Sequence, residues 1–194
     1  TGSVGKTTSK ECIAAVLATQ YDTLHSSGNR NNEIGLPWTL LELQPDTEFA
    51  VVELGTNHPG EIDYLAGITR PTIAVVTNAG PAHLEGFGDL DGVARAKGEL
   101  FARLDSSATA VINADDRYAG LWRELAGDSR VLDFGLEQVD ADRVFVPHAF
   151  AGMGVARMDH FGGSTCDDLA GRFHVGFQAR VELVVNASLI SDTP

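Results

Sequence analysis

The stretch Gly2-Ser3-Val4-Gly5-Lys6-Thr7-Thr8 opens the chain and decides how the fold is interpreted. In a phosphate-binding loop, glycines let backbone N–H groups turn towards phosphate oxygens. A lysine reaches the outer phosphates, and a Ser or Thr hydroxyl holds Mg²⁺. Gly5, Lys6 and Thr7 supply these groups in that order, and a helical pattern follows. The stretch therefore predicts a nucleotide-binding loop; the alternative is a helix start with a chance Gly-Lys-Thr.

Such a loop normally connects a strand to a helix, yet no strand pattern precedes it in this sequence. The first glycine of the general phosphate-loop pattern would also lie upstream of Thr1. We therefore expect the chain to be a piece of a longer protein, truncated at its N-terminus within its own fold.

Strand and helix patterns alternate along the rest of the chain. Strands are predicted over residues 49–54, 72–77, 108–113 and 130–134, the first two as runs buried on both faces. Helices are predicted with Cys12, Ile13, Val16 and Leu17 on one face, and over residues 62–68, 90–104 and 115–126, the last with acidic residues in its first turn. Residues 21–32 read as a loop. This alternation predicts an α/β fold, a mostly parallel sheet flanked by helices.

Composition excludes several classes of protein. The chain has 194 residues and a net charge of −13, so a nucleic-acid partner is not expected, although a local basic cleft stays possible. No apolar run reaches membrane-spanning length. Cys12 and Cys166 are the only cysteines, which does not suit a disulfide scaffold. We therefore expect a cytoplasmic protein without membrane insertion.

Several polar residues are predicted to gather at the carboxyl edge of the sheet, where ligands bind in open parallel sheets. Glu53 ends one strand and could hold Mg²⁺. His83 follows the next, and Asn113 follows the third, where its amide could contact a base edge. Each has a plainer interpretation, as a solvated side chain or a helix cap. Lys97 and Glu99, on a helix, are by themselves best interpreted as exposed.

As a set, these segments resemble the Mur ligase family in order and spacing. The motifs are TGSVGKTT at 1–8, ELG at 53–55, NAGPAHLEGFG at 78–88, ARAKGEL at 94–100 and INADD at 112–116. The segments NNEIGLP at 31–37 and ELGTNHPGEI at 53–62 are similar to the MurF branch. The resemblance covers residues 1–146. It implies a P-loop NTPase-like central ATP-binding domain, followed by a divergent tail of uncertain structure over residues 147–194.

The resemblance also implies roles for individual residues. The loop from Gly2 to Thr8 (Gly2, Ser3, Val4, Gly5, Lys6, Thr7 and Thr8) and Asn113 would bind ATP. Thr7 and Glu53 would ligate Mg²⁺. His83 and a carbamylated Lys97 would hold a second Mg²⁺, and Lys6, His83 and Lys97 would be catalytic. Asn31, Asn32 and Asn78 would lie near the phosphate and acceptor-substrate side.

By this resemblance, the activity would be ATP-dependent addition of D-alanyl-D-alanine to UDP-N-acetylmuramoyl-tripeptide through an acyl phosphate. The family's N- and C-terminal domains are not recognisable here, so we expect the chain to be inactive by itself. Two alternatives stay open: a degenerate, non-catalytic nucleotide-binding module, and an unrelated P-loop kinase or ATPase. The second alternative would not explain the two MurF-like segments.

Overall fold

The computed structural model describes residues 1–135, so the expected tail at 147–194 and its boundary at 146 lie outside the described residues. Helices and strands alternate along this part. They are α1 Lys6–Leu17, β1 Thr23–His25, α2 Gly35–Leu40, β2 Phe49–Val51, α3 Glu61–Thr69, β3 Ile73–Val76, α4 Leu84–Phe87, α5 Leu90–Ala102, β4 Thr109–Asn113, α6 Ala119–Ala126 and β5 Arg130–Phe134. Among these helices, none is long and apolar enough to cross a membrane.

All strand pairs in the described part are parallel, which confirms the expected α/β fold. β3, β4 and β5 form one sheet in that order, and β1 pairs with β2 in a second sheet. The backbone of Thr1 lies along the open side of β3. Its nitrogen donates to the Val75 carbonyl at 2.9 Å, and its carbonyl accepts from the Thr77 N–H at 2.9 Å. The phosphate loop therefore starts beside the carboxyl end of β3.

The main core lies between the three-stranded sheet and helices α3, α5 and α6. Its largest side chains, Trp122 and Phe101, are fully buried and meet edge to face, with ring centroids 6.3 Å apart. The indole N–H of Trp122 donates to the Ala94 carbonyl at 3.0 Å, so its polar atom is satisfied. A Cβ on Gly98 would lie 2.4 Å from a Leu125 methyl carbon. The glycine therefore allows α5 and α6 to approach closely.

The first two strands differ from the prediction. β1 lies inside residues 21–32, which were expected to be a loop, because a three-residue strand is too short to show a period. β2 ends at Val51, before Glu53, and its Ala50 is exposed, so the expectation of burial on both faces is wrong there. Beyond Val51 the chain leaves the ladder: the Glu53 N–H donates to the Ser26 hydroxyl at 3.3 Å.

The helix predictions also need correction. α6 starts at Ala119, not residue 115, because Asp116 accepts from the Tyr118 N–H at 2.9 Å and holds the preceding residues in a turn. No acidic residue therefore lies in its first turn. α5 ends two residues early, at Ala102. On α1, Val16 is exposed, whereas Lys10 is buried instead. α2 was not predicted from the sequence.

Glu99, expected on a solvated face, joins α5 to the start of α3. Its carboxylate accepts from the Gly60 N–H at 2.8 Å and from the Asp63 N–H at 3.1 Å. The first N–H groups of a helix have no partner within the helix, so an acidic side chain from a neighbouring element can act as its cap. Glu99 therefore fixes the first turn of α3 against α5.

Replacing Glu99 with alanine should lower the free energy of unfolding by about 1–2 kcal/mol, the usual range for a lost helix cap. Urea unfolding followed by tryptophan fluorescence would measure the change. Glu124→Ala, at an exposed position on α6, is the control and should stay within about 0.5 kcal/mol of wild type. Equal effects of the two substitutions would show that Glu99 does not act as a cap.

Candidate functional site

Two glycines shape the phosphate loop. Gly5 has a φ of 84° and immediately precedes α1, a conformation that favours glycine. Gly2 lies so close to Thr77 that a Cβ on it would be 1.8 Å from the threonine hydroxyl oxygen. The Lys6 ammonium donates to the Gly2 carbonyl at 2.9 Å. Since the first turn of α1 carries no acidic residue, its N-terminus can attract an anion.

The segment after β3 holds this loop in place. The side-chain amide of Asn78 accepts from the Val4 N–H and donates to the Val4 carbonyl, each at 3.0 Å. The Asn78 carbonyl accepts from the Ser3 N–H at 3.0 Å. The Ser3 hydroxyl lies 2.8 Å from the Gly80 N–H. In this structure Asn78 anchors the phosphate loop, and its expected substrate contact stays a prediction.

Thr7 and Glu53 meet at the start of α1. The Thr7 hydroxyl donates to the Glu53 carboxylate at 2.7 Å. The Asn31 amide donates to the other carboxylate oxygen at 2.8 Å. Glu53 is only 4% exposed although it is ionisable. A hydroxyl and a carboxylate oxygen this close together form the hard-oxygen donor pair that Mg²⁺ prefers. Thr7 and Glu53, the two residues expected to ligate Mg²⁺, are therefore in contact.

Lys97 is buried on α5, so its interpretation as an exposed lysine is wrong. Its residue surface is 3% exposed. Within residues 1–135, no carboxylate lies within ion-pair distance of its ammonium group. Burial and the nearby Lys6 ammonium lower the pKa of Lys97 to about 8. A buried lysine without a counter-ion is unfavourable when charged, so this position favours a neutral or modified amine.

The other predicted site residues, Asn113 and His83, make contacts that do not by themselves indicate a ligand. Asn113 donates to the Thr77 carbonyl at 2.9 Å and accepts from the Asp115 N–H at 3.1 Å, which links the ends of β3 and β4. His83 is exposed, with a φ of 55°, and its ring makes no hydrogen bond or ion pair to another described residue. The described residues contain no group of three or more His, Cys, Asp and Glu placed for a metal. The metal role of His83 and the base contact of Asn113 stay predictions.

Two residues that support the site were missed. Lys10 is buried and donates to the Ser26 carbonyl, which ties α1 to the loop that contains Asn31. Asp116 accepts from the Ala79 N–H at 2.8 Å and so anchors the segment after β3. A lysine on a helix usually faces solvent, so the sequence carries no signal for the role of Lys10. The paired acids at 115–116 were a signal, interpreted as a helix start.

A family profile described as the Mur ligase middle domain matches residues 1–163. The chain belongs to the Mur ligase family. This Mur ligase domain is similar to the UDP-N-acetylmuramoyl-tripeptide–D-alanyl-D-alanine ligase of Escherichia coli, with 47% identity over 142 residues. That alignment covers 73% of this chain and 31% of the relative. The ligase of the same name from Synechocystis is 45% identical over 141 residues, covering 72% and 31%.

Solved structures give the same family and fold. A MurF crystal structure from Acinetobacter baumannii is 42% identical with a TM-score of 0.67, covering 69% of this Mur ligase domain and 30% of that chain. A MurF ligase from Thermotoga maritima, in complex with ADP, is 36% identical with a TM-score of 0.64, covering 70% and 31%. The chain thus spans about 31% of the length of the Escherichia coli relative.

Proposed function

We propose that this chain is the nucleotide-binding part of a ligase that joins D-alanyl-D-alanine to UDP-N-acetylmuramoyl-tripeptide with ATP. The relatives named for this reaction support the proposal. The observation that supports it best is the contact of Thr7 with Glu53 next to Lys6, because a hydroxyl and a carboxylate together at the start of α1 suit a Mg²⁺ ion that carries a phosphate. We infer that the ligase acts in the cytoplasm, because two widely separated cysteines suit a reducing compartment.

The residues fit Mg²⁺ and a nucleotide phosphate chain. Thr7 and Glu53 would hold the metal through oxygen, and the loop amides with Lys6 would hold the outer phosphates. Bound Mg²⁺ neutralises phosphate charge during phosphoryl transfer. Asn113, at the end of β4, would contact the adenine. The ADP bound to the Thermotoga maritima relative supports nucleotide binding at a domain of this fold.

In the proposed reaction, the tripeptide carboxylate attacks the γ-phosphate and forms an acyl phosphate, while ADP leaves. The D-alanyl-D-alanine amine then attacks the acyl carbon, the C–O bond to phosphate breaks, and phosphate leaves with the bonding electrons while the amine nitrogen releases a proton. Lys6 would stabilise the negative charge that develops on the transferred phosphoryl group. Asn78 would keep the loop amides at a fixed distance from that group, because it binds both polar groups of Val4.

Lys97 would serve the reaction as a carbamate. The ammonium first loses a proton, and the neutral amine then attacks CO₂: a C–N bond forms, one C=O π bond opens to an oxyanion, and a second proton leaves the nitrogen. The lysine cation would thus become an anion able to bind a second Mg²⁺ together with His83. Its lowered pKa of about 8 favours this step because only the unprotonated amine reacts. Roughly one amine in ten would be neutral at pH 7, against fewer than one in a thousand at an ordinary lysine pKa.

The test measures ADP formation by the complete ligase with ATP, Mg²⁺, UDP-N-acetylmuramoyl-tripeptide and D-alanyl-D-alanine. We expect turnover only when both the UDP-N-acetylmuramoyl-tripeptide and D-alanyl-D-alanine are present. The product should have the summed mass of these two substrates less one water. Glu53→Gln should abolish turnover. Nucleotide binding without any turnover in the wild-type ligase would instead favour the non-catalytic module.

A further inference from the structure

We infer that Asn31 is a positioning residue: it orients the Glu53 carboxylate for the metal instead of contacting the acceptor substrate. The inference rests on the proposed function, because it concerns the same Mg²⁺ site. It separates Asn31 from its neighbour Asn32, although both residues were expected to lie near the substrate. The hydrogen bonds that Glu53 accepts support this inference.

The two oxygens of Glu53 are held from two sides. One accepts from the Thr7 hydroxyl at 2.7 Å, and the other accepts from the Asn31 amide at 2.8 Å. With one donor on each oxygen, the carboxylate plane cannot rotate without breaking a hydrogen bond in a buried place. If Mg²⁺ takes the oxygen that faces Thr7, the Asn31 amide still holds the other one. A ligand oriented in advance loses little freedom when the metal binds.

Asn31 is itself fixed by the strand-end segment that carries Glu53. The Asn31 carbonyl accepts from the Gly55 N–H at 2.7 Å. A Cβ on Gly55 would lie 2.8 Å from the amide carbon and the amide oxygen of Asn31. Gly55 therefore leaves the space in which the Asn31 amide reaches Glu53. The backbone hydrogen bond between Asn31 and Gly55, and the absence of a Cβ on Gly55, therefore place the Asn31 amide beside Glu53.

Asn32 performs a different task. Its side-chain oxygen accepts from the Ile34 N–H at 3.2 Å and from the Gly35 N–H at 2.8 Å, at the beginning of α2. These hydrogen bonds hold the turn that leads into α2, and they do not involve Glu53. The adjacent asparagines thus provide a matched pair: substituting Asn31 disturbs the carboxylate, whereas substituting Asn32 disturbs only the loop and α2.

The experiment uses the complete ligase and measures ADP affinity by calorimetry, with Mg²⁺ and with EDTA. The dissociation constant in EDTA divided by the dissociation constant with Mg²⁺ reports how strongly Mg²⁺ assists nucleotide binding. Asn31→Ala should reduce this ratio about tenfold, as loss of a partner behind a metal ligand does. ADP affinity in EDTA should stay unchanged. Asn32→Ala should leave the ratio unchanged, even where its melting temperature falls.

Gly55→Ala gives a second variant that keeps every polar group and displaces the Asn31 amide by its methyl group. It should also lower the ratio, and it tests the inference if Asn31→Ala does not fold. The inference would be overturned if a folded Asn31→Ala ligase kept the wild-type ratio of dissociation constants. It would also be overturned if Asn32→Ala lowered this ratio as much as Asn31→Ala does. Glu53→Ala should remove the Mg²⁺ effect; if it does not, the proposed metal site fails together with the role of Asn31.

Discussion

Replacing Lys97 with alanine in the complete ligase should reduce ligase activity on the order of 100-fold or more. A bound metal supplies several kcal/mol of transition-state stabilisation, and about 1.4 kcal/mol corresponds to a factor of ten in rate. The proposed carbamate would be lost with the side chain, and the second metal with it. Steady-state ADP formation would measure the loss, and circular dichroism would show that the variant is folded.

Short carboxylic acids such as formate or acetate should partly restore the activity of the Lys97→Ala ligase. They would place a carboxylate in the space that the carbamate leaves. Arg95→Ala is the control, because Arg95 lies on the same helix but is exposed. It should retain activity and show no response to acid. Full activity of Lys97→Ala would show that the buried lysine has no catalytic role.

The 194-residue chain by itself should not catalyse ligation, even if it folds. It spans about 31% of the length of the Escherichia coli relative. We expect the family's N-terminal domain, which would bind the uridine nucleotide, and its C-terminal domain, which would close over ATP, to lie in the rest. Holding reactants in attack geometry is worth roughly 7–11 kcal/mol, which corresponds to about 10⁵-fold or more in rate. Phosphate release with all substrates present would measure the turnover.

The control is the complete ligase at the same concentration and with the same substrates. Dipeptide-dependent turnover of the chain near that of the complete ligase would contradict this expectation. The flanking domains would then not be needed to position the reactants.

The sequence predicted the parts of the fold that have a clear period. β5 coincides with its predicted range, and β3 and β4 differ from theirs only at their ends. β1 was missed because three residues cannot show alternation. The start of α6 was misplaced because the side chain of Asp116 serves the turn and the segment after β3. Local hydrogen bonds to a side chain decide such boundaries, and hydrophobic pattern does not record them.

The site could be predicted where a motif fixes residue order, and not where tertiary contacts decide. The phosphate-loop motif identifies Lys6 and Thr7 directly, and the structure brings Thr7 into contact with Glu53, while the roles of these residues stay predictions. The burial of Lys97 was invisible, because a lysine in a helical pattern is usually exposed. The different tasks of Asn31 and Asn32 depend on which side chain faces Glu53, which sequence spacing cannot tell.

The most direct test of the central claim is transfer of oxygen isotope between substrate and phosphate. UDP-N-acetylmuramoyl-tripeptide is labelled with ¹⁸O in its terminal carboxylate and incubated with the complete ligase, ATP, Mg²⁺ and D-alanyl-D-alanine. If the carboxylate attacks the γ-phosphate at this site, each released phosphate carries one oxygen from the labelled carboxylate. Release of phosphate without label, while the ligated product forms, would contradict the acyl-phosphate route and the roles assigned to Lys6, Thr7 and Glu53.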